Sequence, residues 1–426
     1  MTRTVEHVVC PTCGCLCDDL VVEVDGTRVT QARRACPNGR TFFKSYDPTP
    51  RLPRVHGREV EWNEAIAEAA RMLTQARSPL IYGLSSTATE AQRCAVELAD
   101  RLGAILDTTS SLCHGPAVLA MQSVGLPGCT LGEIRSNADL VIFWGCNPAV
   151  SHPRHFARYS LPPANRRSRV AVVVDVRPTA TSDIADLFLQ VEPGSDLEIL
   201  TALRALVHAR PLSARAIGGV PLANWEDLAG RMKSCRMGVV FAGVGLTMSQ
   251  GRDLNLGELF SLVAELNDCT RFAAMPMRGH GNVAGADQVL TWQSGYPFAV
   301  NYGRGFPRYG PGEFSAVDVL AHGEADAALI IASDPLAHLP SSSAVHLREI
   351  PVVAIDPRES LTTRIAQVVL PTACYGLDAA GTYYRMDGVP IRLRPVISSA
   401  RPTDEQALQQ LLDSVVRVSA GAVPTC

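Results

Sequence analysis

Four cysteines near the start of the chain have the residue type and spacing of ligands to an iron–sulfur cluster. Cys10, Cys13, Cys17 and Cys36 follow the pattern C-x2-C-x3-C-x18-C. A [4Fe-4S] cluster takes four thiolates. Three closely spaced cysteines on a short loop can bind three of the irons, and one distant cysteine on a returning segment can bind the fourth. The sequence therefore predicts a [4Fe-4S] site.

The spacing leaves alternatives open for this loop. A zinc ribbon needs two facing C-x2-C knuckles, and only Cys10 and Cys13 form one, but zinc or an empty loop remains an alternative. Cys15 is a fifth thiol within the run and could replace Cys17 as the third ligand. The remaining cysteines, apart from Cys113, are predicted to be core or incidental thiols: Cys94, Cys129, Cys146, Cys235, Cys269, Cys374 and Cys426.

Composition describes an ordinary globular protein of several domains. The chain has 426 residues, 46% hydrophobic residues and a net charge of −3, and domains of roughly 150 residues predict two to four of them. No basic excess favours nucleic acid or anionic lipid as a partner. The sequence shows neither a signal peptide nor a long apolar segment, so we expect a cytoplasmic protein with reduced thiols.

Three stretches of the chain recur at a distance, each a buried apolar strand that ends in a turn. Residues 78–83 match 237–243, 138–148 match 325–335, and 172–179 match 352–358. Strands that alternate with helices, without tight hairpins, are typical of parallel sheets with right-handed crossovers. The pattern predicts two related α/β domains.

Polar residues follow the predicted strands at matching positions. They are Asn147, Asp175, Arg177, Asp334, Asp356 and Arg358. Parallel sheets bind ligands at the carboxyl ends of their strands. Any one of these residues is more readily explained as a loop cap, but the repeated set favours binding of a nucleotide-like cofactor. We expect domains at about 1–58 for the cluster, 59–225 and 226–426, and a crossing of the chain between domains remains open.

The whole chain closely resembles the molybdenum or tungsten bis-pterin oxidoreductases, which include formate dehydrogenases and dissimilatory nitrate reductases. The likeness rests on the cluster cysteines and on residues 51–66, 138–148, 175–181, 193–196 and 368–382. Within that group, Cys113-His-Gly-Pro and residues 277–298 resemble the B subunits of formylmethanofuran dehydrogenases. The resemblance implies a small cluster domain followed by two parallel-sheet α/β domains, without the C-terminal pterin-binding barrel.

The resemblance also implies roles for individual residues. Cys113 would be the protein ligand to molybdenum or tungsten, although a buried core thiol is the alternative. His114 would move a proton near neutral pKa, and Arg278 would hold CO2 or formate in its guanidinium fork. The other residues expected to bind the bis(pterin guanine dinucleotide) cofactor are Thr179, Asp196, Gly279 and His280, with Arg278 shared between the two roles.

The implied reaction is the two-electron interconversion of CO2 and formate in one-carbon metabolism or methanogenesis, with electrons supplied through the cluster from a ferredoxin-type donor. The expected partners are an amidohydrolase-like hydrolase subunit, formyltransferase-related subunits and a separate pterin-barrel subunit. Methanofuran or an analogue would carry the formyl group.

Two features favour a rival hypothesis. Related enzymes carry Cys-x-Lys-Gly after the cluster, where this chain has Cys36-Pro-Asn38-Gly39, and Lys44 is the nearest lysine. The arginine-rich composition is typical of a bacterial source, in which the homologous subunit can be a cofactor-free scaffold of a formyltransferase/hydrolase complex. Retention of all five ligand cysteines favours the redox subunit, because exposed reactive thiols would serve a scaffold poorly.

Overall fold

The computed structural model describes residues 2–47, 49 and 51–421, with side chains up to Val418. Cys426 lies outside these residues. The strands are β1 Thr2–Val8, β2 Leu20–Asp25, β3 Arg28–Arg33, β4 Arg54–Val55, β5 Arg58–Glu59, β6 Pro79–Gly83, β7 Ile105–Thr108, β8 Leu140–Trp144, β9 Val170–Asp175, β10 Leu187–Gln190, β11 Ala216–Ile217, β12 Val220–Pro221, β13 Met237–Ala242, β14 Arg271–Pro276, β15 Val300–Asn301, β16 Arg308–Tyr309, β17 Ala327–Ile331, β18 Val352–Ile355, β19 Val368–Leu370, β20 Gly381–Tyr384 and β21 Pro390–Leu393.

The α-helices are α1 Pro37–Lys44, α2 Trp62–Gln75, α3 Thr89–Leu102, α4 Gly115–Val124, α5 Leu131–Asn137, α6 Pro148–Ser151, α7 Asp196–Val207, α8 Leu222–Ser234, α9 Val244–Thr247, α10 Asp253–Leu266, α11 Val283–Ser294, α12 Ala316–Ala321, α13 Ser341–Glu349, α14 Leu361–Ile365 and α15 Asp404–Gly421. Among the described helices, none is long and apolar enough to cross a membrane.

The chain divides into two compact units. The first unit contains the residues through Leu112, His280–Arg385 and those from Pro390 onward, and the second contains Cys113–Gly279 with Met386–Val389. This division differs from the expected domains 59–225 and 226–426, because β6 pairs with the distant β17 and β8 pairs with β13. The second unit is therefore inserted into the first.

The first unit is built on a nine-stranded sheet in the order β16-β15-β7-β6-β17-β18-β19-β4-β5. Its five central strands run parallel, and short antiparallel strands extend both edges. Strands such as β17 are buried along their whole length, as expected for a parallel sheet covered on both faces. Helices α2, α3, α11 and α15 contribute the surrounding apolar core.

The second unit has a five-stranded parallel sheet in the order β10-β9-β8-β13-β14. The first unit's central order, β19-β18-β17-β6-β7, places every matched pair of sequence segments at the same position in its own sheet. Helices α7, α8 and α10 supply most of the core that packs on the second sheet. The recurrence in sequence is thus a recurrence of topology.

Gly83, the last residue of β6, and Gly243, the residue after β13, lie at equivalent places where a side chain cannot fit. A Cβ at Gly83 would lie 2.2 Å from the carbonyl oxygen of Ile331, and one at Gly243 would lie 2.2 Å from that of Gly145. Gly83 also has a φ of +121°, which strongly favours glycine. Because these two positions lack a Cβ, neighbouring segments of the chain can pass directly against the strand ends.

The N-terminal segment forms a three-stranded antiparallel sheet, β1-β2-β3, followed by α1. The cysteine loop connects β1 to β2, and Cys36 is the residue that precedes α1. Although residues 1–58 were expected as a separate domain, this segment belongs to the first compact unit.

Candidate functional site

The four predicted cluster cysteines lie on one loop and at one helix start in the first unit. The amide of Cys10 donates to the carbonyl of Cys17 at 2.8 Å, which closes the loop that carries Cys13. Cys36 caps α1, and its sulfur accepts from the amide of Gly39 at 3.4 Å. A Cβ at Gly39 would lie 3.0 Å from the sulfur of Cys10 and 3.9 Å from that of Cys36.

The four thiols have the donor type that a [4Fe-4S] cluster takes, one for each iron, but their present placement does not form a metal-binding group. Within the described part of the chain, no group of three or more His, Cys, Asp or Glu side chains is placed to hold a metal ion. Burial raises the pKa of the Cys10 thiol to about 12. A hydrogen bond from Cys15 lowers the pKa of Cys13 instead, so the fifth thiol contacts a predicted ligand.

The two residues considered in place of the missing lysine lie at opposite ends of α1. Asn38 is in its first turn beside Cys36, and Lys44 is exposed in its last turn. Six residues of α-helix separate them by about 9 Å along the axis. Lys44 is therefore displaced by more than one helical turn from the position where related sequences carry lysine.

Cys113 and His114 precede α4 in the second unit. The carbonyl of Cys113 accepts from the hydroxyl of Thr247 at 2.8 Å, and its side chain is partly exposed. His114 is fully buried, and its Nε2 lies 2.7 Å from the carbonyl oxygen of Met277. This contact joins the Cys-His segment to the segment that carries Arg278.

The hydrogen bond to Met277 fixes the tautomer of His114. A carbonyl oxygen only accepts, so Nε2 must carry the proton and Nδ1 of the neutral ring presents a lone pair. Nδ1 is buried without a partner. Burial, with the charge of Arg278 as a further cause, holds the pKa of His114 well below its ordinary value, which differs from the near-neutral pKa expected from sequence.

The backbone of Arg278 is held on both sides, and the residue is 7% exposed. Its amide donates to the carbonyl of Pro276 at 3.0 Å. Its carbonyl lies 2.8 Å from Nε2 of His152, a residue that the sequence reasoning missed. The signal for His152 in the sequence was a histidine shortly after Asn147-Pro148, the dipeptide that follows the β8 strand.

Residues predicted to bind a cofactor in the second unit gather after β8 and β9. The amide oxygen of Asn147 accepts from the hydroxyl of Thr181 at 2.7 Å, and Thr179 shapes the same loop through hydrogen bonds with Ser182. Asp175 is partly buried, which raises its pKa. Arg177 is exposed beside it.

Asp196 begins α7 in the same unit and is buried. Its carboxylate accepts from the indole N–H of Trp144 at 2.8 Å, so a strand-ending tryptophan fixes its orientation. Exposed apolar side chains occur in the connections after β8, β9 and β13: Val150, Val176, Ile184, Val244, Met248 and Leu254.

The corresponding residues of the first unit line two cavities. Asp356 and Arg358 contribute to both, and each cavity has a volume of about 280 Å³. One is also lined by Pro11 and Thr12 from the cysteine loop, and the other by Arg51 and Arg54. The cysteine loop and the carboxyl end of β18 therefore share one cavity.

Burial and hydrogen bonds control the protonation and position of the ionisable side chains in these cavities. Burial raises the pKa of Asp356 to about 7, and its carboxylate accepts from the amide of Arg358 at 2.8 Å. The guanidinium of Arg358 lies 4.9 Å from the ring centroid of Phe42. Asp404, which sequence reasoning missed, adds a second buried carboxyl whose pKa is raised to about 6. No sequence pattern distinguished it from a helix cap.

The remaining predicted residues take different roles or positions. Asp334 accepts from the amide and hydroxyl of Thr362 at 2.9 and 2.6 Å, as a cap of the next loop. Gly279 and His280 are exposed, and the chain passes from the second unit to the first between them. Cys113, His114 and Arg278 thus belong to the second unit, and the four cluster cysteines belong to the first.

The comparisons with known proteins agree on one family. The sequence model of molybdopterin oxidoreductases matches residues 49–402. The B subunit of the tungsten-containing formylmethanofuran dehydrogenase 2 of Methanocaldococcus jannaschii is 44% identical over 431 residues, covering 97% of this chain and 99% of the relative.

Two solved structures share the fold. A chain of the formyltransferase/hydrolase complex from Methylorubrum extorquens, crystallised with methylofuran, matches with a TM-score of 0.71 and 25% identity over 87% of this chain and 100% of that chain. Acetylene hydratase from Pelobacter acetylenicus matches with a TM-score of 0.73 and 15% identity over 97% of this chain and 69% of that chain.

Proposed function

The chain belongs to the molybdopterin oxidoreductase family, as a homologue of formylmethanofuran dehydrogenase B subunits, and we propose that it interconverts CO2 and formate within a complex of that type. The observation that carries the proposal is the 2.7 Å contact of His114 with Met277. It joins the segment that carries Cys113 to the segment that carries Arg278, which lie far apart in sequence.

The donor types fit a molybdenum or tungsten bis-pterin centre. Cys113 offers a soft, partly exposed thiolate as the protein ligand to the metal. When bound, the centre would supply two-electron redox chemistry, and Cys10, Cys13, Cys17 and Cys36 would hold a [4Fe-4S] cluster that supplies single electrons.

Arg278 and His114 would handle the substrate and its proton. Reduction of CO2 to formate consumes two electrons and one proton. The guanidinium of Arg278 can bind both oxygens of formate in a bidentate contact. In the oxidative direction, Nδ1 of His114 can accept the proton because its lone pair has no other partner. The depressed pKa of His114 then favours passing that proton onward.

The loops at the carboxyl ends of the strands would hold the two dinucleotide arms of the cofactor. Asn147, Asp175, Arg177, Thr179 and Asp196 serve the second unit. In the first unit, Asp356 and Arg358 present a carboxyl and a guanidinium to the shared cavities. Carboxylates suit guanine N–H groups and guanidinium suits diphosphate, so each unit offers both types of group to such an arm.

A cofactor-free scaffold in a formyltransferase/hydrolase complex is the second candidate. The observation that favours it is the structural match to a chain of the Methylorubrum extorquens complex over 87% of this chain. Both candidates place the chain among other subunits, and they differ in metal content.

The deciding experiment is elemental analysis of the complex purified without oxygen, with EPR after reduction and an assay of formate oxidation with a viologen dye. The redox proposal expects about four irons and one molybdenum or tungsten per chain. A formate-releasing complex with neither would establish the scaffold. Cys113→Ser should abolish formate oxidation and leave the cluster EPR signal, whereas Cys269→Ser, at an exposed thiol, should change neither.

A further inference from the structure

We propose that His152 is a positioning residue that fixes Arg278 for its substrate through the backbone. This inference rests on the proposed function of Arg278. It concerns a side chain that neither the motifs nor the family resemblance singled out. Its basis is a set of hydrogen bonds within the second unit that leaves the residues around Arg278 little freedom.

The backbone groups of Met277 and Arg278 are bonded to fixed partners. The amide of Met277 donates to the carbonyl of Ala242, the last residue of β13, at 2.8 Å, and its carbonyl is bound by His114 at 2.7 Å. The amide of Arg278 turns back to Pro276, and its carbonyl is bound by His152 at 2.8 Å. Two buried imidazoles therefore hold consecutive carbonyl groups.

The hydrogen bonds of His152 suit it to position the backbone of Arg278 rather than to transfer protons. Nε2 must donate to the carbonyl of Arg278, so Nδ1 accepts, and the hydroxyl of Ser151 lies 2.8 Å from it. Both ring nitrogens are occupied, and the residue is 2% exposed. His114 differs, because its Nδ1 has no partner. His152 therefore positions the backbone of Arg278, whereas His114 keeps a ring nitrogen that can take up a proton.

The same segment connects Arg278 to the predicted cofactor loop. His152 ends the short turn of α6, which begins after Asn147. Asn147 accepts from Thr181, and the Thr181 hydroxyl also accepts from the amide of Ala149 at 3.2 Å. A displacement of the 175–181 loop would therefore reach the backbone of Arg278 through α6 and His152.

A matched pair of variants tests this role. In His152→Gln, the side-chain amide nitrogen replaces Nε2 and can still donate to Arg278. In His152→Asn, the shorter amide cannot reach. We expect kcat/KM for formate to fall about 100-fold in His152→Asn with a raised KM, and to stay within about threefold of the wild type in His152→Gln, because a misplacement near 1 Å is sufficient for such a loss. Ser151→Ala is the control for the Nδ1 contact.

A second measurement does not depend on enzymatic activity. Hydrogen exchange in the purified complex, followed by mass spectrometry, should be faster in the peptide spanning residues 276–280 of His152→Asn and unchanged in His152→Gln. Equal losses in both variants, or wild-type kcat/KM in His152→Asn, would overturn the inference. If the wild-type complex does not oxidise formate, the proposed function fails, and the exchange pattern alone decides whether His152 holds this segment.

Discussion

Asp139 and Asp326 make the same pair of hydrogen bonds at equivalent places in the two units. The carboxylate of Asp139 accepts from the amides of Arg236 and Met237, each at 3.0 Å, just where β13 begins. That of Asp326 accepts from the amides of Arg77 and Ser78, each at 2.9 Å, just before β6. In both units an aspartate before one strand fixes the start of its neighbour, although those strands are distant in sequence.

Removing either aspartate should weaken its own unit by a similar amount. Asp139→Ala and Asp326→Ala each leave two amides without a charged acceptor, and we expect each to lower the free energy of unfolding by about 1 to 3 kcal/mol. Urea unfolding of the two variants measures this. Asp268→Ala, at an exposed position outside this motif, is the control. Loss in only one variant would contradict an equivalent role.

Glycine substitutions should separate steric exclusion from helix propensity. Gly243→Ala would place a Cβ 2.2 Å from a backbone oxygen. We expect the free energy of unfolding to fall by several kcal/mol, as it does when a core is overpacked. Gly257, within α10, has nothing within 4 Å of the added Cβ. Gly257→Ala should therefore raise stability by about 0.5 to 1 kcal/mol. Thermal unfolding of the pair provides the comparison, and a stable Gly243→Ala would refute the close approach.

The assignment of the third cluster ligand is open to a direct test. Cys17→Ala should reduce iron well below about four atoms per chain and remove the cluster EPR signal, because one iron loses its thiolate. Cys15→Ala should keep the iron, since the predicted ligand spacing uses Cys17 and the Cys15 side chain is hydrogen-bonded to Cys13. The opposite result would assign the ligand to Cys15.

Acid should destabilise the second unit through His155. This buried imidazole lies 4.6 Å from the ring of Phe241, and burial lowers its pKa to about 3. Below the ordinary pKa of about 6.5, the unfolded chain binds a proton that the folded chain does not, so stability falls by about 1.4 kcal/mol per pH unit as the pH decreases towards the folded value.

His155→Phe should remove this contribution to the pH dependence, whatever its effect on absolute stability. Urea unfolding between about pH 6 and pH 4, followed by the fluorescence of buried Trp144 and Trp225, measures the slope. Phe156→Leu alters the same aromatic cluster without removing a titrating group, and should keep the wild-type slope. An unchanged slope in His155→Phe would show that His155 does not cause it.

Much of the architecture was accessible from sequence because its strands are continuous apolar runs. The segments at 78–83 and 237–243 were correctly paired as repeats, and the family resemblance is confirmed by the comparisons. The compact units were not predicted, because strand order depends on which distant strands pair. The low pKa of His114 was also missed, since burial and the neighbouring Arg278 arise only from tertiary packing.

The insertion of the second unit has a consequence for how the chain folds during synthesis. Strands β6 and β7 emerge from the ribosome early, but their neighbour β17 follows only after the whole segment Cys113–Gly279. That segment carries all five strands of its own sheet, so it can fold first while β6 still has an open edge. Until β17 arrives, this exposed edge is open to wrong pairing.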